Sequence, residues 1–130
     1  MVYLLDTSTL LELLRASPPK PLIRRISQTS PRERCTSVIT VSQILVAARR
    51  EKTPRLMQDV VRLVAAIAVV PYDLSAAQNF AKFRSTVASP SDTDEVMTAA
   101  IAVSRDLTLV TRRGIKFNHY PNLRIEDWTI

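Results

Sequence analysis

Glycine is nearly missing from this chain. Gly114 stands alone against eight prolines, so turns must be made by Pro, Asn, Asp and Ser. Cysteine is just as scarce: Cys35 is single, which excludes a disulfide framework and a cysteine-ligated zinc site. It reads as a buried strand residue. His119 is the one histidine, so a Ser-His-Asp or Cys-His mechanism would have to run through it. Placed beside Tyr120 and Pro121, it reads as a surface or packing residue rather than a catalyst. Long hydrophobic runs are also lacking. The longest uncharged apolar stretch, Leu63 to Val70, falls far short of the roughly 20 residues that cross a bilayer. The opening MVYLLDTSTLL is interrupted at Asp6 and has no basic residue ahead of it, unlike a signal peptide. The expectation is a cytoplasmic protein with no membrane segment.

What remains is a globular profile. With 130 residues, 46% of them apolar and 23% charged, the chain suits a single domain over 1–130 with a core of ordinary size. Eighteen Lys and Arg against twelve Asp and Glu give a net charge of +6, favouring acidic partners, whether nucleic acid, an anionic membrane or an acidic protein. Fourteen of the eighteen are arginine, a bias that suits forked contacts to phosphate or carboxylate. Arg49, Arg50, Lys52 and Arg55 cluster at one junction, and Arg24, Arg25, Arg32 and Arg34 lie upstream. Either group reads as an RNA-phosphate contact or as a solvated turn.

Hydrophobic patterning alternates between short strands and helices. Val2–Leu5, Cys35–Ile39, Val69–Val70 and Leu107–Thr111 read as strands, with Leu123–Ile125 a candidate fifth. Capping-box spacing predicts helices led by Thr9 with Glu12, Thr40 with Gln43, and Ser75 with Gln78. Pro18, Pro19 and Pro21 close the first helix and open a basic one, Thr53–Pro54 starts another, and Asp92–Glu95 begins the last. The predicted class is α/β, a central mostly parallel sheet of four or five strands with helices on both faces. In that architecture ligands bind beyond the carboxyl ends of the strands, and both Asp6 and Thr111 fall there. Trp128 is expected to anchor the C-terminal tail on the core.

Asp6-Thr7-Ser8 closes the first strand. A carboxylate there can hold a hard cation, or it can cap the following helix while the two hydroxyls satisfy turn amides. The longer segments LLDTSTLLELL, TSVITVSQILVAARR and DEVMTAAIAVSRDLTLVTRR, with the closing PNLRIEDW, together resemble the PIN-domain family and its VapC-like toxin branch. The resemblance covers essentially the whole chain. It implies a three-layer α/β/α fold and a Mg2+- or Mn2+-dependent ribonuclease of a toxin–antitoxin pair. It also implies RNA (tRNA, rRNA or mRNA) as substrate, an antitoxin as partner and a homodimer.

Carried onto this chain, the family's acids are only partly kept. The first matches Asp6. The second, a glutamate, falls on Gln43. The third falls on Glu95, where the family usually has Asp. Beyond the LVT strand, Arg113 and Lys116 stand where family members often have Asn or Asp and a further acid. Asp6, Gln43, Glu95 and Arg113 sum to a charge of −1, and Lys116 brings this to zero, where an intact site would hold about −3 or −4. At an effective dielectric of about 20, one carboxylate roughly 5 Å from a divalent ion contributes on the order of 6 kcal/mol before desolvation, so cleavage is expected to be impaired. In an active enzyme Asp6 and Glu95 would hold the ion, Thr7, Ser8, Gln43 and Thr111 would give polar support, and Arg113 or Lys116 would engage the scissile phosphate. Alternatively, one of those cations replaces the metal between Asp6 and Glu95. Asp92 and Asp94 could substitute as acids, although helical rotation turns Asp94 about 100° from Glu95. Gln43 and Glu95 could also serve only as capping residues. The competing class is a catalytically inactive PIN-fold module that binds RNA or an acidic antitoxin.

Overall fold

The computed structural model describes residues 1–87 and 92–130. Among them, five parallel strands form one sheet: β1 (Tyr3–Leu5), β2 (Arg34–Ser37), β3 (Ala68–Val70), β4 (Thr108–Val110) and β5 (Arg124–Glu126). Their order across the sheet is β3-β2-β1-β4-β5, with Leu4 opposite Cys35 on one side and Leu109 on the other. The helices are α1 (Thr7–Leu13), α2 (Lys20–Gln28), α3 (Val38–Glu51), α4 (Pro54–Ala66), α5 (Leu74–Thr86), α6 (Thr93–Ser104) and α7 (Gly114–Phe117).

Side chains alternate across the sheet, and this alternation divides the core. Leu4, Cys35, Val70 and Leu109 pack with Ala76 and Phe83 of α5 and the alanine-rich face of α6. Leu5 and Val110 point the other way, toward Leu10, Leu22, Ile44, Val60 and Trp128. A period of two in the strands thus buries both faces, giving the expected three-layer α/β/α fold.

The chain builds β1, β2 and β3 toward one edge, then crosses to place β4 and β5 on the far side of β1. Neighbouring connections therefore diverge between β1 and β4, leaving a crevice above their carboxyl ends. Helices follow strands with almost no loop here, and this moves the caps. Asp6 caps α1 by accepting from Thr9 N at 3.0 Å, Ser37 caps α3 through Thr40 N at 3.1 Å, and Asp73 caps α5 through Ala76 N at 3.0 Å. Each cap lies upstream of the residue that capping-box spacing selects, because the first polar residue after a buried segment meets the free amides first. The second strand accordingly stops at Ser37, and Val38 and Ile39 are already helical.

Left-handed backbone is taken by Lys52, Asp106 and Asn122, with φ of 55°, 54° and 63°. Asp and Asn tolerate this region; Lys52 closes α3 there as its C-cap. The lone Gly114 does not adopt positive φ.

Candidate active site

A cleft of about 710 Å³ opens over the carboxyl ends of β1 and β4. The start of α1 supplies Asp6, Thr7 and Ser8, and one turn further Glu12. Helix α3 contributes Gln43 and Arg50, the first turn of α6 Asp94 and Glu95, and the segment after β4 Arg112, Arg113 and Lys116. The fold thus gathers Asp6, Thr7, Ser8, Gln43, Glu95, Arg113 and Lys116 into one place. Thr111 is fully buried, and its Oγ1 accepts from the Arg113 amide at 2.9 Å and lies 3.4 Å from Ser8 Oγ.

Asp6 serves both as cap and as cleft wall. Its Oδ1 accepts from Ser8 Oγ at 2.7 Å and from Thr9 N at 3.0 Å. Ser8 Oγ in turn accepts from the Arg112 amide at 3.1 Å, tying α1 to the segment after β4. Gln43 is not a capping residue. It accepts from the Thr7 hydroxyl, and its Nε2 donates to Asp94 Oδ2 at 3.1 Å. Asp94 reaches the cleft because α3 meets the start of α6 there, while Glu95, 8% exposed, takes a hydrogen bond from Tyr120 OH at 3.2 Å. Burial, and then the charge of Glu95, push the Tyr120 hydroxyl well above its ordinary range, so it stays a donor.

Arg113 and Lys116 line the cleft, and among the described residues neither forms an ion pair with Asp6. The paired cation is Arg112, whose guanidinium meets Glu12 Oε1, while Arg15 holds Oε2 at 2.8 Å. Glu12 and Arg112 escaped the sequence reading, in which Glu12 served only as a capping partner. Ser8 and Glu12 are four residues apart and share a helix face, and that spacing is the signal that could have found Glu12. Nothing local could have linked Tyr120 to Glu95, twenty-five residues away. His119 stacks on the Tyr120 ring, with centroids 4.7 Å apart. Cys35 donates its buried thiol to Tyr3 O at 3.4 Å, and burial pushes its pKa up to about 11, so it is no nucleophile.

The Arg15 hydrogen bond, helped by the charge of Arg112 and opposed by burial, holds the Glu12 carboxyl below its ordinary value of 4.5. Its contribution to stability is therefore complete above that value and lost as pH falls through the lowered one. Glu12→Gln is expected to flatten that part of the acid limb. Melting temperatures followed from about pH 6 to 3 would show it; parallel curves for the two proteins would exclude it.

Five acids (Asp6, Glu12, Asp92, Asp94 and Glu95) and four cations (Arg50, Arg112, Arg113 and Lys116) line the cleft, a net charge of −1. Among the described residues, no three His, Cys, Asp or Glu side chains converge as a metal-holding group. Protein donors already engage oxygens of Asp6, Glu12, Asp94 and Glu95. The donor set does not fit the divalent ion that the family resemblance implies. No helix among the described residues is long and apolar enough to cross a membrane.

Comparison with known proteins agrees with the fold. The PIN domain pattern matches residues 3–123. The tRNA(fMet)-specific endonuclease VapC of Salmonella typhimurium is 29% identical over 130 residues, covering 97% of each chain. The DNA-bound VapBC structure from the same organism matches with a TM-score of 0.83 at 27% identity, over 98% of both chains. VapBC-1 of nontypeable Haemophilus influenzae matches over the full length of both chains with a TM-score of 0.87 at 23% identity. A pattern matched from the first strand almost to the last, together with relatives and a solved structure that match over nearly the whole chain, makes this chain a member of the PIN-domain family, of the VapC-like type.

Proposed function

We propose that this chain is the VapC-like toxin component of a toxin–antitoxin module whose inherited chemistry, metal-dependent hydrolysis of RNA, is impaired. The observation that carries this reading is the cleft itself. Its acids are engaged by protein donors, and its lining is close to electrically balanced. The family's divalent ion, Mg2+ or Mn2+, would have to share these carboxylates with those donors and tolerate four cations in the lining.

Binding is the activity that survives in this reading. Arg50, Arg112, Arg113 and Lys116 lie on the cleft wall, and the protein has a net charge of +6. A polyanionic backbone following the cleft meets these cations. The relatives that carry VapB partners support an antitoxin for this chain, and family habit supports a homodimer.

The test incubates purified protein with structured RNAs and MgCl2 or MnCl2, beside an Asp6→Asn control. Retention of RNA that weakens steeply with salt, together with little or no cutting, is the expected result. Rapid cutting that disappears in Asp6→Asn would overturn the impairment and establish an active ribonuclease. Equal cutting by both proteins would mark a contaminating nuclease.

A further inference from the structure

Gln43 joins two helices across the floor of the cleft. Its side-chain oxygen accepts from the Thr7 hydroxyl of α1, and its nitrogen donates to Asp94 Oδ2 of α6 at 3.1 Å. The amide can lie only this way round, since the Asp94 carboxylate has no proton to give and the nitrogen cannot accept one. All three side chains are half-buried, where a satisfied polar link is worth more than at an open surface. A glutamate has nearly the same shape. At position 43 it would set a carboxylate oxygen about 3.1 Å from Asp94 Oδ2, an arrangement that needs a proton or cation between the two.

We infer that Gln43 is a positioning residue whose neutral amide takes the place of a divalent ion, holding α1, α3 and α6 around the cleft so that its assembly is independent of metal. This rests on the functional reading above and names what replaces the ion. One added negative charge, at this position alone, then makes the fold responsive to metal. Exchanging donor and acceptor between positions 43 and 94 removes that response again, because an asparagine at 94 can donate to a glutamate at 43.

The experiment compares melting temperatures of wild type, Gln43→Glu, and Gln43→Glu with Asp94→Asn, each in EDTA and in millimolar MnCl2. The wild type is expected to move by less than about 1 °C, while Gln43→Glu melts about 5 °C lower in EDTA and recovers most of this with Mn2+. The double variant is expected near the wild-type value and insensitive to Mn2+. Loss of stability without Mn2+ recovery in Gln43→Glu, or an equal Mn2+ response in the wild type, would overturn the inference. If Gln43→Glu does not fold, a folded double variant supports it and an unfolded one defeats it. No RNA enters the readout, so an active wild-type nuclease and a metal-responsive wild-type fold would be seen as separate failures.

Discussion

Replacing Gln43 by Glu, Arg113 by Asp and Lys116 by Glu in one protein is expected to tighten Mn2+ binding at least about 100-fold over the wild type, equivalent to about 2.7 kcal/mol. The three positions line one cleft, and together the changes take its formal charge from −1 to −6. At an effective dielectric of about 20, each charge roughly 5 Å from the ion is worth on the order of 6 kcal/mol before desolvation. Arg113 and Lys116 are exposed, so water and salt screen most of that and only a fraction reaches the ion. The gain is not simple charge attraction at a surface. The bond that Gln43 donates to Asp94 is already lost in this variant, while Asp6 still accepts from Ser8 through one oxygen. Calorimetric titration with MnCl2 at two salt concentrations measures it. Affinity unchanged in the triple variant would mean that the backbone geometry of the cleft, and not its charge, keeps the ion out. Arg113→Asp and Lys116→Glu taken singly then show which cation opposes the ion more strongly.

The second large effect lies away from the acids. Trp128→Ala is expected to destabilise the fold by about 3–5 kcal/mol. Trp128 is 1% exposed and packs edge-on against Tyr3, with ring centroids 5.0 Å apart. The Arg25 guanidinium lies 4.8 Å over its face. Its indole N–H donates to Glu126 Oε1 at 3.0 Å, the same oxygen that Arg25 meets at 2.7 Å. Truncation opens a cavity between β1 and the tail, removes the cation–π contact and takes one partner from Glu126. The damage reaches the cleft by a short path, because Glu126 O accepts from the Thr111 amide and Thr111 supports Arg113. Urea unfolding followed by circular dichroism gives the number. A cost under about 1 kcal/mol would show that the neighbourhood collapses onto the space without loss.

Much of this could be read along the chain because the signals are local. Strands Tyr3–Leu5 and Thr108–Val110 are short apolar segments ended by polar residues, and burial on both faces leaves little choice of residue type. Trp128 was legible too, as a single large ring in a short tail. The capping residues were less so. Three plausible boxes each pointed downstream of the true cap, since a hydroxyl with the right spacing does not say where the preceding strand ends. Gln43 illustrates the cost. Its apparent place at the third position of a box concealed a side chain that reaches across to α6.

The order of residues by itself determined the α/β class and put Asp6 and Thr111 at the carboxyl ends of strands, because hydrophobic period and strand–helix alternation act over a few neighbouring residues. That Gln43, Glu95, Arg113 and Lys116 belong with Asp6 was implied only by the family resemblance. Only the tertiary structure decided which charges face one another there. Arg112 rather than Arg113 or Lys116 forms the ion pair, with Glu12 rather than Asp6 as its partner, and Asp94 rather than Glu95 meets Gln43. Electrostatic and hydrogen-bond energies fall away over a few ångströms, and such distances, between side chains up to a hundred residues apart, exist only once the helices have packed.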